Sequence, residues 1–343
     1  MKHGGDLTAA MARYGGNDTA WLDLSTGINP HAYPLRETPE HVWMALPTRA
    51  AHDALICAAR VAYTVPDGVE VVAAPGTQSL IQWLPIVLGK ASVAIVSPTY
   101  NEHALAWRRS GATVIESSLH DPYPAAARHL VIVNPNNPDG HVFDHALLRG
   151  FAEQAVRRGG TVILDESFID TMPDVSAAAL CRDYPVVIMR SFGKFYGLAG
   201  LRLGFLLAGE VIARRVAEAL GPWAVAGPAL CLGTTALLDR DWAHRMRLQL
   251  ADEAAALDAT LAGAGLTLKG GTSLYRLAAH PGARRVHDQL AARRIWIRCF
   301  DWDETLLRIG LPATKSDFVR FENALEEITG KAAHVRDHGS MTG

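Results

Sequence analysis

The chain has 343 residues, of which 49% are hydrophobic and 20% are charged, and its formal net charge is −2. This composition is typical of a globular protein with a sizeable core and excludes a disordered one. The balanced charge favours neither nucleic acid nor an anionic membrane as a partner, and no long uninterrupted apolar run predicts a membrane span. The four cysteines are widely separated and form no C-x-x-C pair. They indicate reduced thiols, so we expect a cytoplasmic protein.

Short β-branched apolar runs alternate with helix-like segments in the first part of the chain. The runs predicted to be strands are 69–74, 92–97, 129–134, 161–166, 185–191 and 203–208. They lack polar alternation, as expected of strands that are covered on both faces. Helical stretches lie between several of them, such as 78–89, 101–110 and 144–158. This rhythm predicts an α/β fold with a mainly parallel sheet and helices on both sides.

The pattern changes after residue 209. A long amphipathic helix is predicted over 240–265, followed by short strands in LTLKG, SLYRLA, IWIRCF and TLLRIGL and by helices near 283–293 and 315–328. This part is predicted to be a smaller α+β domain. The predicted divisions are an N-terminal segment (1–30), a large domain (31–210), a small C-terminal domain (211–331) and a tail (332–343).

Candidate functional residues come directly after the predicted strands, because ligands of open α/β sheets bind beyond the carboxyl ends of the strands. Gly76, Thr77 and Gln78 follow the first strand and open a helix, which makes them a candidate phosphate site. Taken alone, these residues fit an ordinary N-capped helix at least as well. Tyr100 follows the second strand and either stacks on a flat ring or packs in the core.

Amide and carboxylate side chains follow two further strands. Asn137 lies in NPNNPDG (134–140), a rigid polar loop whose amides either cap the turn or face a ligand. Asp165 follows the apolar run TVIL and is expected to be buried, with Glu166 on the opposite face of the strand. A buried carboxylate needs a cationic partner. A structural salt bridge or a protonated pyridine nitrogen would provide it.

The last candidate stretch is SFGKFYGLAGLRLGF (191–205), in which Lys194 and Arg202 are the charged residues. Ser191 and Lys194 come at the end of a strand, and Arg202 comes just before the next one. With the residues above, the stretch supplies a phosphate site, a stacking ring, a hydrogen-bond donor, a buried carboxylate and a single amine. Pyridoxal phosphate needs all of these, since a lysine binds its aldehyde and an aspartate keeps its ring nitrogen protonated.

The motifs PGTQ, PTY, NPNNPDG, DESF, SFGKFYGLAGLRLGF and LRIGL follow one another along nearly the whole chain. In this order they resemble the fold-type I pyridoxal-phosphate enzymes of the aspartate aminotransferase superfamily. The resemblance implies a large domain with a mainly parallel seven-stranded sheet, a smaller α+β C-terminal domain and a homodimer. It also implies that Lys194 is the Schiff-base lysine and that Asp165 pairs with the ring nitrogen of the cofactor.

The resemblance also implies the remaining contacts with cofactor and substrate. The cofactor contacts are Asn137 at the ring hydroxyl, Tyr100 stacked on the ring, Phe168 beside it, and Gly76, Thr77, Gln78, Ser191 and Arg202 around the phosphate. The substrate contacts are Arg308 at the carboxylate, Arg298 as a second anion site, and His3, Gly4, Asn29 and Asn137 in the pocket.

Within the superfamily, the chain resembles the branch of histidinol-phosphate aminotransferases and threonine-phosphate decarboxylases. The N-terminal motifs HGGD (3–6) and LDLSTGINPHAYP (22–34) are more similar to the decarboxylases. This implies decarboxylation of L-threonine O-3-phosphate, a small phosphorylated amino acid, to aminopropanol phosphate in cobalamin biosynthesis. Transamination of histidinol phosphate stays open, because the sequence does not show which substrate bond is held perpendicular to the ring. Lys194 and Asp165 argue against a third possibility, an inactive protein that only binds the cofactor.

Two positions depart from the family pattern. Phe168 stands where many relatives have a tyrosine, so it cannot bond to the ring hydroxyl, and this fits the decarboxylase branch. Leu46 stands where relatives place a tyrosine that reaches the cofactor phosphate of the other subunit, so the partner's contribution to that phosphate is open. The dispersed histidines, His52, His103, His244 and His287, lack metal-ligand spacing, and no metal site is predicted.

Overall fold

The computed structural model describes residues 4–35, 37–118, 121 and 123–330. Contacts along the chain divide it into two compact units. The large unit is His31–Leu248, and the small unit joins Met1–Pro30 to Gln249–Gly343.

The strands are short and follow one another along both units. They are β1 (Leu22–Asp23), β2 (Glu70–Ala74), β3 (Val93–Val96), β4 (Val114–Ser117), β5 (His129–Val133), β6 (Val162–Asp165), β7 (Val186–Ser191), β8 (Gly204–Ala208), β9 (Thr267–Thr272), β10 (Tyr275–Ala279), β11 (Ile295–Trp296), β12 (Arg298–Cys299) and β13 (Leu306–Gly310).

The helices connect and cover these strands. They are α1 (Thr8–Tyr14), α2 (His41–Met44), α3 (Arg49–Ala62), α4 (Thr77–Leu88), α5 (Glu102–Arg109), α6 (His145–Arg157), α7 (Leu180–Asp183), α8 (Phe192–Phe195), α9 (Glu210–Leu220), α10 (Gly227–Leu238), α11 (Arg240–Gly263), α12 (Ala283–Ala292) and α13 (Lys315–Thr329). Across the described ranges, none of them is both long enough and apolar enough to cross a membrane.

The large unit is built on a seven-stranded sheet with the order β2-β8-β7-β6-β5-β3-β4. Its strands run parallel except β8, which is antiparallel to both of its neighbours. Strands β3, β5, β6, β7 and β8 are buried along their whole length, as their uninterrupted apolar runs predict. The predicted α/β class with a mainly parallel sheet is therefore confirmed.

The six strands predicted in this unit are all present, with ends that differ by no more than one residue. Strand β4, at the sheet edge, is not among the predictions. It is only partly buried and carries the charged Glu116, so its sequence lacks the apolar run that marks the inner strands.

The small unit is α+β, as predicted. Its four-stranded antiparallel sheet has the order β12-β13-β10-β9. Strand β1 pairs in parallel with β11, so the N-terminal segment belongs to this unit although it begins the chain. Residues 211–248, predicted to belong to the C-terminal domain, group with the large unit. The physical reason is that α10 packs closely against α3 and α2, with Gly227 against the Val42 backbone.

The register of the large sheet brings three segments together at the carboxyl ends of its parallel strands. Gly204, the first residue of β8, pairs with Ala74 at the end of β2 and with Ser191 at the end of β7. These three paired residues mark the points where the loop after β2 and the turn after β7 leave the sheet and where the segment before β8 enters it. The three segments are therefore neighbours. Asp165 ends the next strand, β6.

A buried histidine lies in the core of the large unit. His129 begins β5, is 2% exposed and packs against Trp107 with ring centroids 5.4 Å apart. Neither ring nitrogen has a hydrogen-bond partner within the described part of the chain. Burial, helped by the charge of Arg128, lowers the pKa of His129 to about 4 from its ordinary 6.5.

This histidine makes stability depend on pH. Below pH 6.5 His129 becomes protonated in the unfolded chain, whereas in the folded chain it stays neutral down to about pH 4. The free energy of unfolding therefore falls as the pH drops from 6.5 to about 4. We expect His129→Phe to lose less stability than the wild type between about pH 7 and about pH 4.5 in urea unfolding. His145→Phe, at an exposed histidine of α6, is the control and should follow the wild type. Equal losses in wild type and His129→Phe would contradict the prediction.

Candidate active site

The N-terminus of α4 lies at the carboxyl end of β2. Gly76 precedes its first residue with a φ of +80°, and no side chain caps this end of the helix. A Cβ atom on Gly76 would lie 2.7 Å from Nη2 of Arg202, so the glycine is what lets the guanidinium approach. The N–H groups of the first turn and the Arg202 guanidinium together form a positive cradle that suits a phosphate.

The backbone around Arg202 holds this cradle together. Arg202 adopts the left-handed conformation, with φ 52° and ψ 55°, and its Nη1 donates to the carbonyl of Ala199 at 3.1 Å. A Cβ atom on Gly204 would lie 2.7 Å from the backbone nitrogen of Thr77, so the two segments pack backbone against backbone. Ser191 pairs with Gly204 in the sheet and does not use its hydroxyl to cap α8.

Asp165 is a buried carboxylate with donors on both oxygens. His103 Nε2 lies 2.9 Å from Oδ2. Oδ1 accepts from the backbone nitrogen of Ser167 at 3.0 Å and from the Ser167 hydroxyl at 2.5 Å. Burial by itself would raise the pKa of Asp165, but these hydrogen bonds hold it below its ordinary value. Asp165 is therefore ionised at neutral pH, which is the state that pairs with a protonated ring nitrogen.

A second set of buried charges lies on the opposite face of the same strands. Arg190 pairs with Asp170 and also with Glu166, whose Oε2 lies 3.4 Å from Nη1. Asp165 and Glu166 thus serve different partners, as the alternation of the strand predicts. Because Glu166 follows Asp165 and Arg190 precedes Ser191, these ion pairs tie together two segments that carry candidate site residues.

Tyr100 and Gln78 form part of one hydrogen-bonded group. The Tyr100 hydroxyl donates to Gln78 Oε1 at 3.3 Å, and Gln78 Nε2 donates to Glu102 Oε2 at 3.0 Å. The ring of Tyr100 lies edge-on to His103, with centroids 6.2 Å apart. Gln78, predicted at the phosphate, thus directs its side chain to Tyr100 and Glu102, while its backbone N–H stays in the first turn of α4.

Lys194 lies in the short helix α8, directly after β7. Its Nζ is 5.6 Å from the centroid of the Phe168 ring, so the loop after β6 and this turn meet. Tyr196 holds this turn in place, since its ring is stacked on Phe192 and on Trp242, with ring centroids 4.4 Å and 5.5 Å apart. The backbone that carries the Lys194 amine is therefore held by packed aromatic rings.

The asparagine-rich loop after β5 is fixed by its own side chains. Asn134 Oδ1 accepts from the backbone of Phe143, and Asn136 donates to the Pro98 carbonyl and to Asp139. Asn137, the residue predicted to face a ligand, lies between these anchors and is half-buried.

The predicted anion-binding arginines lie side by side in the small unit. Arg298 on β12 pairs directly with Arg308 on β13, so both side chains stand on the same face of the sheet. Burial, reinforced by the charge of Arg298, lowers the pKa of Arg308 to about 10. Burial also lowers the pKa of Arg298. Both side chains are half-buried, and two like charges on paired residues of adjacent strands suit an anionic group.

Residues from both ends of the chain meet at Ser25. Arg308 Nη2 donates to the Ser25 carbonyl at 2.7 Å, and the Ser25 hydroxyl accepts from the backbone of Gly5 at 3.0 Å. A Cβ atom on Gly4 would lie 2.5 Å from the Ser25 carbonyl oxygen, so this position needs glycine. Asn29 is buried in the same unit. His3 lies outside the described residues.

Two residues near the candidate site carry little or no sequence signal. The sequence pattern of His103 is that of a dispersed histidine, yet it contacts Asp165. Its only sequence signal is that it stands one helical turn after Tyr100. Glu102 was not singled out, although it is buried and bound to Gln78. No group of three or more potential metal ligands is found in the part of the chain that the structure describes.

A family model for aminotransferase class I and II matches residues 22–327. The chain belongs to this family. It is 41% identical to a threonine-phosphate decarboxylase of Sinorhizobium sp over 328 residues, which cover 95% of this chain and 98% of the relative. A threonine-phosphate decarboxylase of Pseudomonas aeruginosa is 39% identical, with 95% and 97% covered. A histidinol-phosphate aminotransferase of Shewanella oneidensis is 34% identical, but the match covers 49% of this chain and 46% of the relative.

Solved structures share the fold. The histidinol-phosphate aminotransferase of Sinorhizobium meliloti in complex with pyridoxal-5'-phosphate has a TM-score of 0.82 at 18% identity and covers 95% of each chain. The L-threonine-O-3-phosphate decarboxylase of Porphyromonas gingivalis has a TM-score of 0.74 at 18% identity, covering 90% of this chain and all (100%) of that one. The predicted family and its fold-type I architecture are thereby confirmed.

The fit between Gly76 and Arg202 gives a direct test of the phosphate cradle. In Gly76→Ala the new Cβ would displace the guanidinium and strain the positive φ, so we expect the dissociation constant for pyridoxal phosphate to rise about tenfold or more. An absorbance titration measures it. The control is Gly150→Ala within α6, where a Cβ meets nothing within 4 Å. Wild-type affinity in Gly76→Ala would contradict the assignment.

Proposed function

We propose that this chain is a pyridoxal-phosphate-dependent decarboxylase of L-threonine O-3-phosphate. One observation carries the proposal. The residues assigned to this cofactor lie beside the carboxyl ends of the parallel strands, in a chain that matches two threonine-phosphate decarboxylases along nearly their whole length. The product would be aminopropanol phosphate, which serves cobalamin biosynthesis.

Residues of the large unit hold the cofactor in this proposal. The phosphate is bound by the N–H groups of Gly76 and Thr77, the Ser191 hydroxyl and the Arg202 guanidinium. This is the chemistry expected at a helix N-terminus beside an arginine. Asp165 pairs with the ring nitrogen, and Lys194 binds the aldehyde. Tyr100 stacks on the ring, and Asn137 donates to the ring hydroxyl. Phe168 adds apolar contact without a hydrogen bond.

The chemistry divides between the cofactor and the chain. The bound cofactor supplies a carbonyl group for the substrate amine and a protonated ring that accepts the electron pair released when carbon dioxide leaves. Asp165 supports that step by staying ionised in a buried site. Lys194 would leave the aldehyde when the substrate amine takes its place, and its Nζ, then a protonated amine, would be the catalytic group that gives a proton to the carbon that lost the carboxylate.

The two opposed arginines suit a substrate with two anionic groups. In the proposal Arg308 binds the substrate carboxylate and Arg298 binds its phosphate, each through charge-assisted hydrogen bonds. Their proximity favours a dianion over a neutral substrate, because the charge of Arg298 helps to lower the pKa of Arg308 and an anion would offset that effect. Gly4 and Asn29 are the further substrate contacts in this proposal.

Histidinol-phosphate aminotransferase is the second candidate function. It is favoured by the similarity of the fold to the S. meliloti enzyme. Identity to curated histidinol-phosphate aminotransferases is lower or covers much less of the chain, as with a relative from Microcystis aeruginosa at 27% over 70% of it. This difference in coverage makes decarboxylation the better-supported reaction.

The proposal includes a cytoplasmic homodimer. Four apolar side chains between residues 35 and 46, those of Leu35, Trp43, Met44 and Leu46, are each at least 65% exposed. Apolar surface of this kind is commonly covered in an assembly. Leu46 has no hydroxyl group, so it cannot donate a hydrogen bond to the cofactor phosphate of the partner.

The reaction is tested by incubating the holoenzyme with L-threonine O-3-phosphate. We expect release of carbon dioxide together with aminopropanol phosphate, and a fall of about 10³-fold or more in Lys194→Ala, because the amine that moves the proton is gone. Lys90→Ala, at an exposed lysine after α4, is the matched control and should keep full activity.

Three outcomes would decide against this function. Absence of carbon dioxide from the cofactor-loaded wild type would contradict decarboxylation. Formation of glutamate from histidinol phosphate and 2-oxoglutarate would support the second candidate instead, and failure in both assays with cofactor bound would leave only a binding protein.

A further inference from the structure

Gln78 links Tyr100 to a buried carboxylate that the proposed reaction does not use. Gln78 Nε2 donates to Glu102 Oε2 at 3.0 Å, and the Tyr100 hydroxyl donates to Gln78 Oε1 at 3.3 Å. Glu102 is the first residue of α5 and is 8% exposed. The three side chains form a continuous chain of hydrogen bonds from the start of α5 through the first turn of α4 to the ring of Tyr100.

Glu102 fixes the direction of both hydrogen bonds in this chain. The Glu102 carboxylate accepts from Gln78, so the NH₂ group of Gln78 faces Glu102 and its carbonyl oxygen faces Tyr100. The hydroxyl hydrogen of Tyr100 must then point at Gln78. Burial, together with the charges of Glu102 and Asp165, raises the pKa of Tyr100 to about 12, so the hydroxyl keeps that hydrogen in the neutral range.

The ring of Tyr100 is thereby held from two sides. Gln78 holds its hydroxyl, and the His103 ring lies against it at an interplanar angle of 87°. His103 follows Glu102 in the first turn of α5 and also contacts Asp165. One turn of α5 therefore supports both the ring assigned to stack on the cofactor and the carboxylate assigned to its ring nitrogen.

We propose that Glu102 is a positioning residue that acts through the Gln78 side chain and fixes the plane in which Tyr100 meets the cofactor. This rests on the proposed function, since it takes Tyr100 as the residue stacked on pyridoxal phosphate. Glu102 contributes to cofactor affinity at a distance of two hydrogen bonds, and Gln78 contributes by its side chain as well as by its backbone.

The hydrogen-bonded chain Glu102–Gln78–Tyr100, here called the relay, is tested by a double-mutant cycle on cofactor affinity. In Glu102→Ala the dissociation constant for pyridoxal phosphate, measured by absorbance titration of stripped protein, should rise about tenfold. In a Tyr100→Phe background the same change should shift it by less than about twofold, because the hydroxyl through which Glu102 acts is gone. Glu102→Gln, whose amide oxygen still accepts from Gln78, should stay within about threefold of wild type.

Controls separate this role from general damage to the fold. Glu116→Ala removes an exposed carboxylate paired with Arg108 and should leave affinity unchanged. The melting temperature of each stripped protein reports folding. Should Glu102→Ala fail to fold, Gln78→Met breaks the middle of the relay and takes its place in the cycle.

Two results would overturn the relay. One is an equal loss of affinity in the wild-type and Tyr100→Phe backgrounds, which would mean that Glu102 acts independently of Tyr100. The other is wild-type affinity in Glu102→Ala. Failure of the wild-type protein itself to bind pyridoxal phosphate would overturn the proposed function, and the relay with it.

Discussion

The burial of Asp165 is the constraint on which the candidate site depends. A carboxylate that is 3% exposed has lost its hydration, and it stays ionised because His103 and Ser167 donate to it. These donors come from α5 and from the loop after β6, so sheet, helix and loop must all be in place before the charge is stable. The same charge would hold a proton on a pyridine nitrogen, which links the packing of the fold to its chemistry.

Because side chains alternate between the two faces of a strand, residues that are neighbours in sequence take part in different interactions. Asp165 and Ser191 are assigned to the cofactor, whereas their neighbours Glu166 and Arg190 form a buried ion pair. Breaking such a buried pair leaves an uncompensated charge, which commonly costs about 3–5 kcal/mol. The segments that carry Asp165 and Lys194 are thus held together by charges that the reaction itself does not need.

Much of this arrangement could be predicted from sequence, and the exceptions share a cause. Inner strands are uninterrupted apolar runs, and loops at their carboxyl ends are recognisable, so the sheet and residues such as Asp165 and Lys194 follow from local pattern. The fit of Gly76 to Arg202 depends on two segments far apart in sequence. His103 looks like any helical histidine until α5 is packed on the sheet. The grouping of residues 211–248 with the large unit likewise follows from helix packing, which has no local signal.

The protonation state of the bound cofactor shows whether the buried charge of Asp165 pairs with the ring nitrogen. Pyridoxal phosphate labelled with nitrogen-15 in the ring can be followed by NMR in the holoenzyme and in Asp165→Asn. We expect a protonated ring nitrogen in the wild type throughout the neutral range and an unprotonated one in Asp165→Asn at the same pH. An unprotonated nitrogen in the wild type, or the same signal in both proteins, would contradict it.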